Sequence, residues 1–230
     1  MTATNNTNNN NDTNDTNDAV TRLAVLFLFI IGFQVLVSRV ALERETKRRW
    51  QHALTGHGLV QASYVIPISW GITGLLLGAV GMVYIRRVHP DAYLQAVGGL
   101  LRPPELEPGR MPGAFYFLLG TALTCLWFDL DIARYAVECL ALADPVAAFV
   151  GKSIPSPKLN ATSSVAGFMG CFATACIIGY LMLEDATMFQ ISIGAFACSV
   201  AESMPIGNDN LLIPLITSIA MSWSNLLGGK

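Results

Sequence analysis

Three apolar runs follow one another in the last third of the chain: VAGFMGCFATACIIGYLML (165–183), ATMFQISIGAFACSVAESM (186–204) and NLLIPLITSIAMSWSNLL (210–227). An α-helix needs about 20 mostly apolar residues to cross roughly 30 Å of hydrocarbon. Earlier runs of the same kind lie at residues 19–42, 59–85, 114–128 and 132–150. The sequence therefore predicts an all-α, polytopic transmembrane helix bundle of about seven spans, and six or eight spans are also compatible with it.

The overall composition agrees with a membrane protein. Of the 230 residues, 53% are hydrophobic and only 13% are charged, whereas a soluble domain has about 25% charged residues. The formal net charge of -2 gives no basic excess, so we expect no nucleic-acid partner. The five cysteines lie inside apolar runs without a C-x-x-C pair, which indicates neither a disulfide framework nor a zinc site.

Two regions differ in composition. Residues 1–18 are a low-complexity tract of Asn, Thr and Asp, which we expect to be a disordered tail because it has almost no apolar surface to bury. Residues 19–230 form one predicted transmembrane domain. In a seven-span arrangement the 14 Lys and Arg residues divide equally between the two sides, so their distribution does not decide the orientation.

Ionisable residues inside apolar spans are costly and therefore mark candidate functional sites. In ECLALADPVAAFVGK (138–152), Asp144 precedes Pro145, which lacks a backbone N–H and favours a kinked helix beside a polar cavity. The Asp144 carboxylate either pairs with Arg134 or another helix, or holds a metal ion or activates a hydroxyl. The segment Gly151-Lys152-Ser153 is not a phosphate-binding P-loop, because the first glycine of that motif is missing.

Two further segments fall on the same side of a seven-span bundle. SIPSPKLNATSSVAG (153–167) carries Lys158 and places Ser164 at a helix start, which either binds an anion or is simply a helix cap. ESMPIGNDNLLIPL (202–215) contributes Glu202 and Asp209, although a plain turn also explains Asn-Asp-Asn. With Asp144 these carboxylates supply the oxygen ligands that Mg²⁺ prefers.

The segment RRWQHALTGHG (48–58) joins the first two predicted spans. Arg49 and His52 lie within one turn at a membrane boundary, where an interfacial anchor with Trp50 is the simpler interpretation. His52 and His57 are five residues apart and do not share a helix face as a metal-binding pair would.

The order of these motifs resembles that of a known family. A basic-x-x-His segment (49–52) is followed by D-x-x-A-x-x-x-G-K (144–152), Ser-Val-Ala-Gly (164–167), E-x-x-P (202–205) and D-N-L-x-x-P (209–214). Together they resemble the CTP-dependent lipid kinases, the membrane family of dolichol kinase, phytol and farnesol kinases and the fungal-type diacylglycerol kinase. The resemblance implies transfer of the γ-phosphate of CTP to the hydroxyl of a lipid alcohol, with Mg²⁺ as cofactor.

The resemblance also implies roles for individual residues. It implies catalytic roles for Asp144, Glu202 and Lys152, and metal binding by Asp144 and Asp209. It implies nucleotide or phosphate binding by Gly151, Lys152, Lys158, Ser164, Gly167, Asn210 and His52. One position departs from the commoner family pattern, because Ser163 stands where a lysine is usual, and we expect Lys158 to supply the missing charge.

Two other functions remain open from the sequence. Asp144, Glu138 and Glu202 would also suit an ion or proton path in a transporter, and the departure at Ser163 would suit an inactive relative that serves as a membrane assembly partner. For the kinase, the expected partners are CTP, a lipid alcohol (diacylglycerol, or a prenol such as dolichol, phytol or farnesol) and the bilayer. The expected location is the endoplasmic reticulum, with a plastid membrane as the alternative.

Overall fold

A computed structural model describes residues 43–107, 109–205 and 207–227, together with positions 21, 24, 25, 28, 32, 33, 36 and 40. The predicted tail (1–18) lies outside these residues, as does most of the first predicted span (19–42). The described residues are mostly helical, and their only β-type pairing is an isolated bridge between Lys158 and Ser164. The predicted all-α class is confirmed for this part of the chain.

Nine α-helices are found in residues 43–227. They are α1 (Arg44–Ala62), α2 (Ile68–Val88), α3 (Pro90–Val97), α4 (Gly113–Trp127), α5 (Leu130–Glu138), α6 (Asp144–Ser153), α7 (Val165–Met182), α8 (Met188–Ser203) and α9 (Asp209–Leu227). Short 3₁₀ turns at Gly98–Leu100 and Pro103–Leu106 fold the connection between α3 and α4. A π-helical segment, Cys139–Ala143, joins α5 to α6 without a break.

Two of these helices, α2 and α7, are long and apolar enough to cross a membrane. Their large side chains lie largely on the outside: Leu77 is 66% exposed and Leu181 is 73% exposed. A continuous apolar surface of this kind suits contact with lipid better than contact with water. The two helices thus support an association with a membrane.

Several of the other predicted spans differ in their bounds from the helices that the structure describes. The predicted run 59–85 is divided, because α1 ends at Ala62 and α2 begins only after Pro67, which cannot donate a backbone hydrogen bond. Helices α4 and α8 have only 15 and 16 residues. Seven crossings of the membrane therefore stay a prediction.

The centre of the bundle is the continuous helical stretch from α5 through the π segment. Tyr135, Cys139, Leu140 and Ala143 are fully buried there, and α1, α7 and α9 pack against this stretch. Gly56 of α1 lies so close to the π segment that an added Cβ would be 2.6 Å from the Ala141 Cβ. Small residues thus let these backbones approach closely, as they do in membrane helix pairs.

The π segment ends just before Pro145. In an α-helix the amide of residue 145 would bond to the carbonyl of residue 141, but proline has no N–H to donate. The wider π spacing accommodates this missing bond, and such single π turns are frequent at functional sites. The change of spacing sets the position of Asp144 at the start of α6.

Candidate active site

A cavity of about 600 Å³ lies where α1, α6, α7, α8 and the α8–α9 link meet. We call it the charged cavity. Eight of the ten predicted site residues line it: Asp144, Gly151, Lys152, Lys158, Ser164, Gly167, Glu202 and Asp209. Its volume is in the range of cavities that hold small-molecule ligands. The fold thus brings together motifs that are up to 65 residues apart in the sequence.

Three carboxylates face this cavity. Asp144 is in the first turn of α6, Glu202 is in the last turn of α8, and Asp209 begins α9. The negative charge of Asp144 acts on both of the others. Burial, followed by this neighbouring charge, raises the pKa of Asp209 to about 6. A carboxylate whose pKa is raised by a neighbouring negative charge is stabilised in its ionised form when a cation binds between the two groups.

The donor set fits Mg²⁺ only when a phosphate shares the ion. Within the described ranges, no three His, Cys, Asp or Glu side chains are grouped closely enough to hold one metal ion. Mg²⁺, however, is usually held by one or two carboxylates, with substrate phosphates and water completing the octahedron. In addition, Oε2 of Glu202 is buried and finds no hydrogen-bond partner among the residues the structure describes. The site therefore suits a metal that arrives with a nucleotide.

Four cationic side chains also line the charged cavity: Arg49, Arg102, Lys152 and Lys158. Nη1 of Arg49 lies 3.6 Å from Oδ1 of Asp144 and 3.5 Å from its backbone oxygen. The nearest cation to Asp144 is thus Arg49 and not Arg134, which bonds to Asp131 and Ser63 instead. These side chains supply positive charge that would stabilise bound phosphates.

The loop that carries Lys158 is held by local hydrogen bonds. Oδ1 of Asn160 accepts hydrogen bonds from the amides of Thr162 and Ser163, both at 2.8 Å. Nδ2 of the same Asn160 donates to the backbone oxygen of Ser203 at the end of α8. Since α8 also supplies Glu202, this tie fixes the position of the lysine-bearing loop relative to the carboxylates.

The start of α7 does not offer free amides, contrary to the expectation that it binds phosphate. The Val165 amide donates to the Pro157 oxygen, the Ala166 amide donates to Oγ of Ser156, and the Gly167 amide donates to Oγ of Ser164. Ser164 is therefore a helix cap. An anion in the charged cavity would therefore bind to cationic side chains and not to the backbone amides at the start of α7.

Gly151 and Gly167 are explained by helix packing. An added Cβ on Gly167 would lie 2.9 Å from the backbone oxygen of Ala147, and an added Cβ on Gly151 would lie 3.0 Å from Oγ of Ser164. The backbones of α6 and α7 cross at these two glycines. The glycines of the G-K and S-V-A-G motifs thus fix the position of the cavity wall through the close contact of α6 with α7. They have no side chains that could contact a ligand.

The structure separates the last two predicted residues, His52 and Asn210, from the other eight. Both line a second cavity of about 250 Å³, which we call the apolar cavity. Nδ2 of Asn210 is buried and donates to the Gly113 oxygen at 2.8 Å, so it ties α9 to α4. His52 stacks edge to face on Phe117 at 4.7 Å between ring centroids. Neither side chain lines the charged cavity.

The sequence did not predict that Arg49 and Arg102 line the charged cavity. Arg49 occupies the basic position of the basic-x-x-His motif, and this motif is the sequence feature that could have identified it as a site residue. Arg102 comes from the Pro-rich connection between α3 and α4 and has no motif around it. It reaches the cavity because its neighbourhood is fixed by Glu105, which accepts hydrogen bonds from the amides of Arg102 and Gly113.

The charged cavity combines three carboxylates, four cationic side chains and a carboxylate oxygen that has no hydrogen-bond partner among the described residues. This combination suits phosphoryl transfer, in which the protein mainly positions the groups and neutralises charge. Comparison with protein-family models, curated proteins and solved structures finds no match to this chain.

Proposed function

We propose that this chain is an integral membrane kinase that transfers the γ-phosphate of CTP to the hydroxyl of a lipid alcohol. The observation that carries the proposal is the charged cavity, where Asp144, Glu202 and Asp209 face Arg49, Arg102, Lys152 and Lys158. The choice of CTP and of a lipid acceptor follows the order of motifs in the sequence. Diacylglycerol or a short prenol is the acceptor we favour.

Asp144 and Asp209 are the proposed ligands of Mg²⁺, which when bound would neutralise the oxygens of the β- and γ-phosphates. Lys152 lies at the opposite end of α6 from Asp144, about 12 Å away at 1.5 Å per residue. A triphosphate lying along α6 would thus have its γ-phosphate near Asp144 and Asp209. Lys152 and Lys158 would stabilise the phosphates closer to the nucleoside by their positive charge.

The transfer needs one proton acceptor. The hydroxyl oxygen of the acceptor forms a bond to the γ-phosphorus while the bond from phosphorus to the bridging β–γ oxygen breaks, and that electron pair leaves with CDP. The hydroxyl proton passes to a carboxylate, for which Glu202 is the proposed acceptor because its Oε2 is buried without a described partner. Arg49, close to Asp144, would stabilise the negative charge on the transferring group.

The proposal includes a polytopic arrangement of about seven spans in the endoplasmic reticulum membrane. Helices α2 and α7, which can cross a bilayer, support it. A cavity at one end of such a bundle lets a soluble nucleotide meet an alcohol whose tail stays in lipid.

The experiment is phosphorylation by the purified full-length protein in nanodiscs, with CTP labelled at the γ-phosphate and a panel of lipid alcohols. We expect labelled lipid, and we expect Asp144→Asn to lower the rate at least about 100-fold, as loss of one electrostatic group in a transfer site does. The matched control is Asp131→Asn. Asp131 lies on α5, pairs with Arg134, is 75% exposed and lines a different cavity.

The outcomes separate the competing functions. Labelled lipid that is lost in Asp144→Asn supports the kinase. Ion flux through the same nanodiscs without labelled lipid supports a transporter. If the protein shows no phosphorylation and no ion flux, that result supports an inactive assembly partner. Full activity of Asp144→Asn contradicts the assignment of the site.

A further inference from the structure

The apolar cavity lies beside the charged cavity and differs from it in character. Four helices contribute to its lining, through His52 of α1, Met82 of α2, Tyr93 of α3 and Phe117 of α4, and Leu101 of the α3–α4 connection adds to it. The four elements converge because the connection between α2 and α4 folds back over α1. A cavity lined in this way suits an apolar molecule with one polar group.

His52 has an unused hydrogen-bonding atom. Its Nε2 is buried and has no partner in the described part of the chain, while the ring hydrogen-bonds with the backbone of Leu140 in the π segment. Burial lowers the pKa of His52 to about 4, so the ring is neutral near pH 7. With one nitrogen donating to the Leu140 carbonyl, the other nitrogen is a hydrogen-bond acceptor without a donor. A buried unpaired acceptor of this kind is costly unless a ligand supplies the donor.

The two cavities share a wall. Arg48 lines the apolar cavity and Arg102 lines the charged cavity, and Glu45 pairs with both of them at 2.9 and 3.0 Å. The consecutive residues Asp209 and Asn210 likewise face one cavity each. The charge of Asp144 also acts on the His52 ring. A group bound beside His52 is therefore close to the carboxylates of the charged cavity.

The apolar cavity is also reached by a helix that can cross a membrane. Met82 belongs to α2. Only 11% of the apolar stretch with which this helix could cross a membrane is buried within the protein. Most of this helix therefore faces outward along its length, and the cavity lies near its carboxyl end. The apolar cavity thus lies next to a helix whose outer surface can contact lipid.

We propose that the apolar cavity binds the hydroxyl-bearing end of the lipid alcohol, and that Nε2 of His52 accepts a hydrogen bond from the hydroxyl. The inference rests on the proposed function and names its acceptor site. His52 then orients the hydroxyl oxygen toward the γ-phosphorus in the charged cavity. When the nucleotide is bound, the O–H turns about its C–O bond from Nε2 of His52 to the Glu202 carboxylate, which takes the proton as the new bond to phosphorus forms. His52 therefore positions the hydroxyl before the transfer and takes up no proton.

The experiment labels the full-length protein in nanodiscs, without nucleotide, with a long-chain primary alcohol that carries a diazirine next to its hydroxyl. Mass spectrometry after irradiation is expected to find the label on residues of the apolar cavity, and excess dioctanoylglycerol or farnesol is expected to remove it. Ala114→Phe, which fills the cavity, is expected to lower labelling at least tenfold. The matched control Ala92→Phe lies on an exposed face of α3 that lines neither cavity and is expected to label like the wild type.

The role of His52 is tested with the same alcohol and its analogue that lacks the hydroxyl. The wild type is expected to prefer the alcohol about tenfold, as one hydrogen bond to a buried acceptor allows, and His52→Leu is expected to lose that preference. If Ala114→Phe does not fold, Val97→Phe fills the same cavity from α3.

The results separate this inference from the kinase itself. Label outside the cavity, or labelling that Ala114→Phe leaves unchanged, overturns the acceptor site even if the protein phosphorylates lipids. Label inside the cavity that depends on the hydroxyl and on His52 upholds the acceptor site even if no phosphorylation is found, in which case the proposed function fails alone.

Discussion

Gly167→Ala tests whether the glycine of the S-V-A-G motif serves helix packing or phosphate binding. The added Cβ would lie 2.9 Å from the backbone oxygen of Ala147, 3.4 Å from Oγ of Ser164 and 3.5 Å from the Gly151 Cα. The first of these atoms is backbone and cannot rotate away, so α6 and α7 must separate by a few tenths of an ångström. Overpacking of this kind costs about 1–3 kcal/mol, and alanine regains up to about 1 kcal/mol of helix propensity.

We therefore expect Gly167→Ala to lower the free energy of unfolding by about 1–2 kcal/mol. In a chain of this size that lowers the melting temperature by about 2–8 °C. The assay is thermal unfolding of the detergent-solubilised protein, followed by intrinsic fluorescence, with and without CTP and Mg²⁺. Because the charged cavity keeps its cations and carboxylates, the affinity for the nucleotide is expected to change less than threefold.

The matched control is Gly74→Ala. Gly74 lies on an exposed face of α2, and an added Cβ meets no atom within 4 Å. This variant is expected to unfold at the wild-type temperature or above it. Our reasoning would be refuted if Gly167→Ala unfolded at the same temperature as the wild type and yet lost nucleotide binding. Gly167 would then act on the ligand and not on the helix contact.

Three further predictions concern single side chains. Lys158→Gln is expected to weaken CTP binding about tenfold, because one cation near the phosphates is lost, while stability changes by less than about 0.5 kcal/mol; unchanged affinity in titration calorimetry would contradict this role. Because burial and then Asp144 raise the pKa of Asp209 to about 6, its carboxylate is ionised above that pH and protonated below it, so Mg²⁺-dependent nucleotide binding should weaken as the pH falls through 6. Asp209→Asn should remove that pH dependence, and a dependence that survives would assign it to another group. Asn210→Ala is expected to destabilise the protein by about 1–3 kcal/mol through loss of its buried bond to Gly113, with nucleotide affinity unchanged within twofold in the same calorimetric titration.

Much of the helical architecture follows from the sequence. Helices α7 and α9 begin and end within one residue of the predicted runs 165–183 and 210–227, because a long apolar run has few alternatives to a helix. Eight of ten predicted site residues meet in one cavity because their motifs lie at the ends of helices that pack side by side. The sequence could predict this grouping from the order of spans alone.

The rest depends on tertiary contacts that local patterns do not encode. Asp209 and Asn210 are neighbours in sequence, yet successive residues on a helix point about 100° apart and here they face different cavities. Arg102 reaches the charged cavity only through the folding of the Pro-rich connection around Glu105. His52 is separated from the residues of the charged cavity because α1 packs on the π segment through Gly56. None of these placements has a periodic signal in the sequence.

The π segment has a consequence for how related sequences should be compared. A π turn holds about one residue more than an α turn, and one residue corresponds to about 100° of rotation around an α-helix. Deleting one residue between Cys139 and Ala143 and restoring α spacing would therefore leave Asp144 at nearly the same rotation relative to α5, because the α turn closes over one residue fewer. Deleting one residue within α5 instead would turn Asp144 by about 100°, away from the wall it shares with Glu202 and Asp209. The D-x-x-A-x-x-x-G-K order would survive both deletions intact. Two sequences can therefore carry identical motifs and differ in whether the carboxylate faces the cavity, and the position of a length difference relative to the π turn distinguishes them where the motif does not.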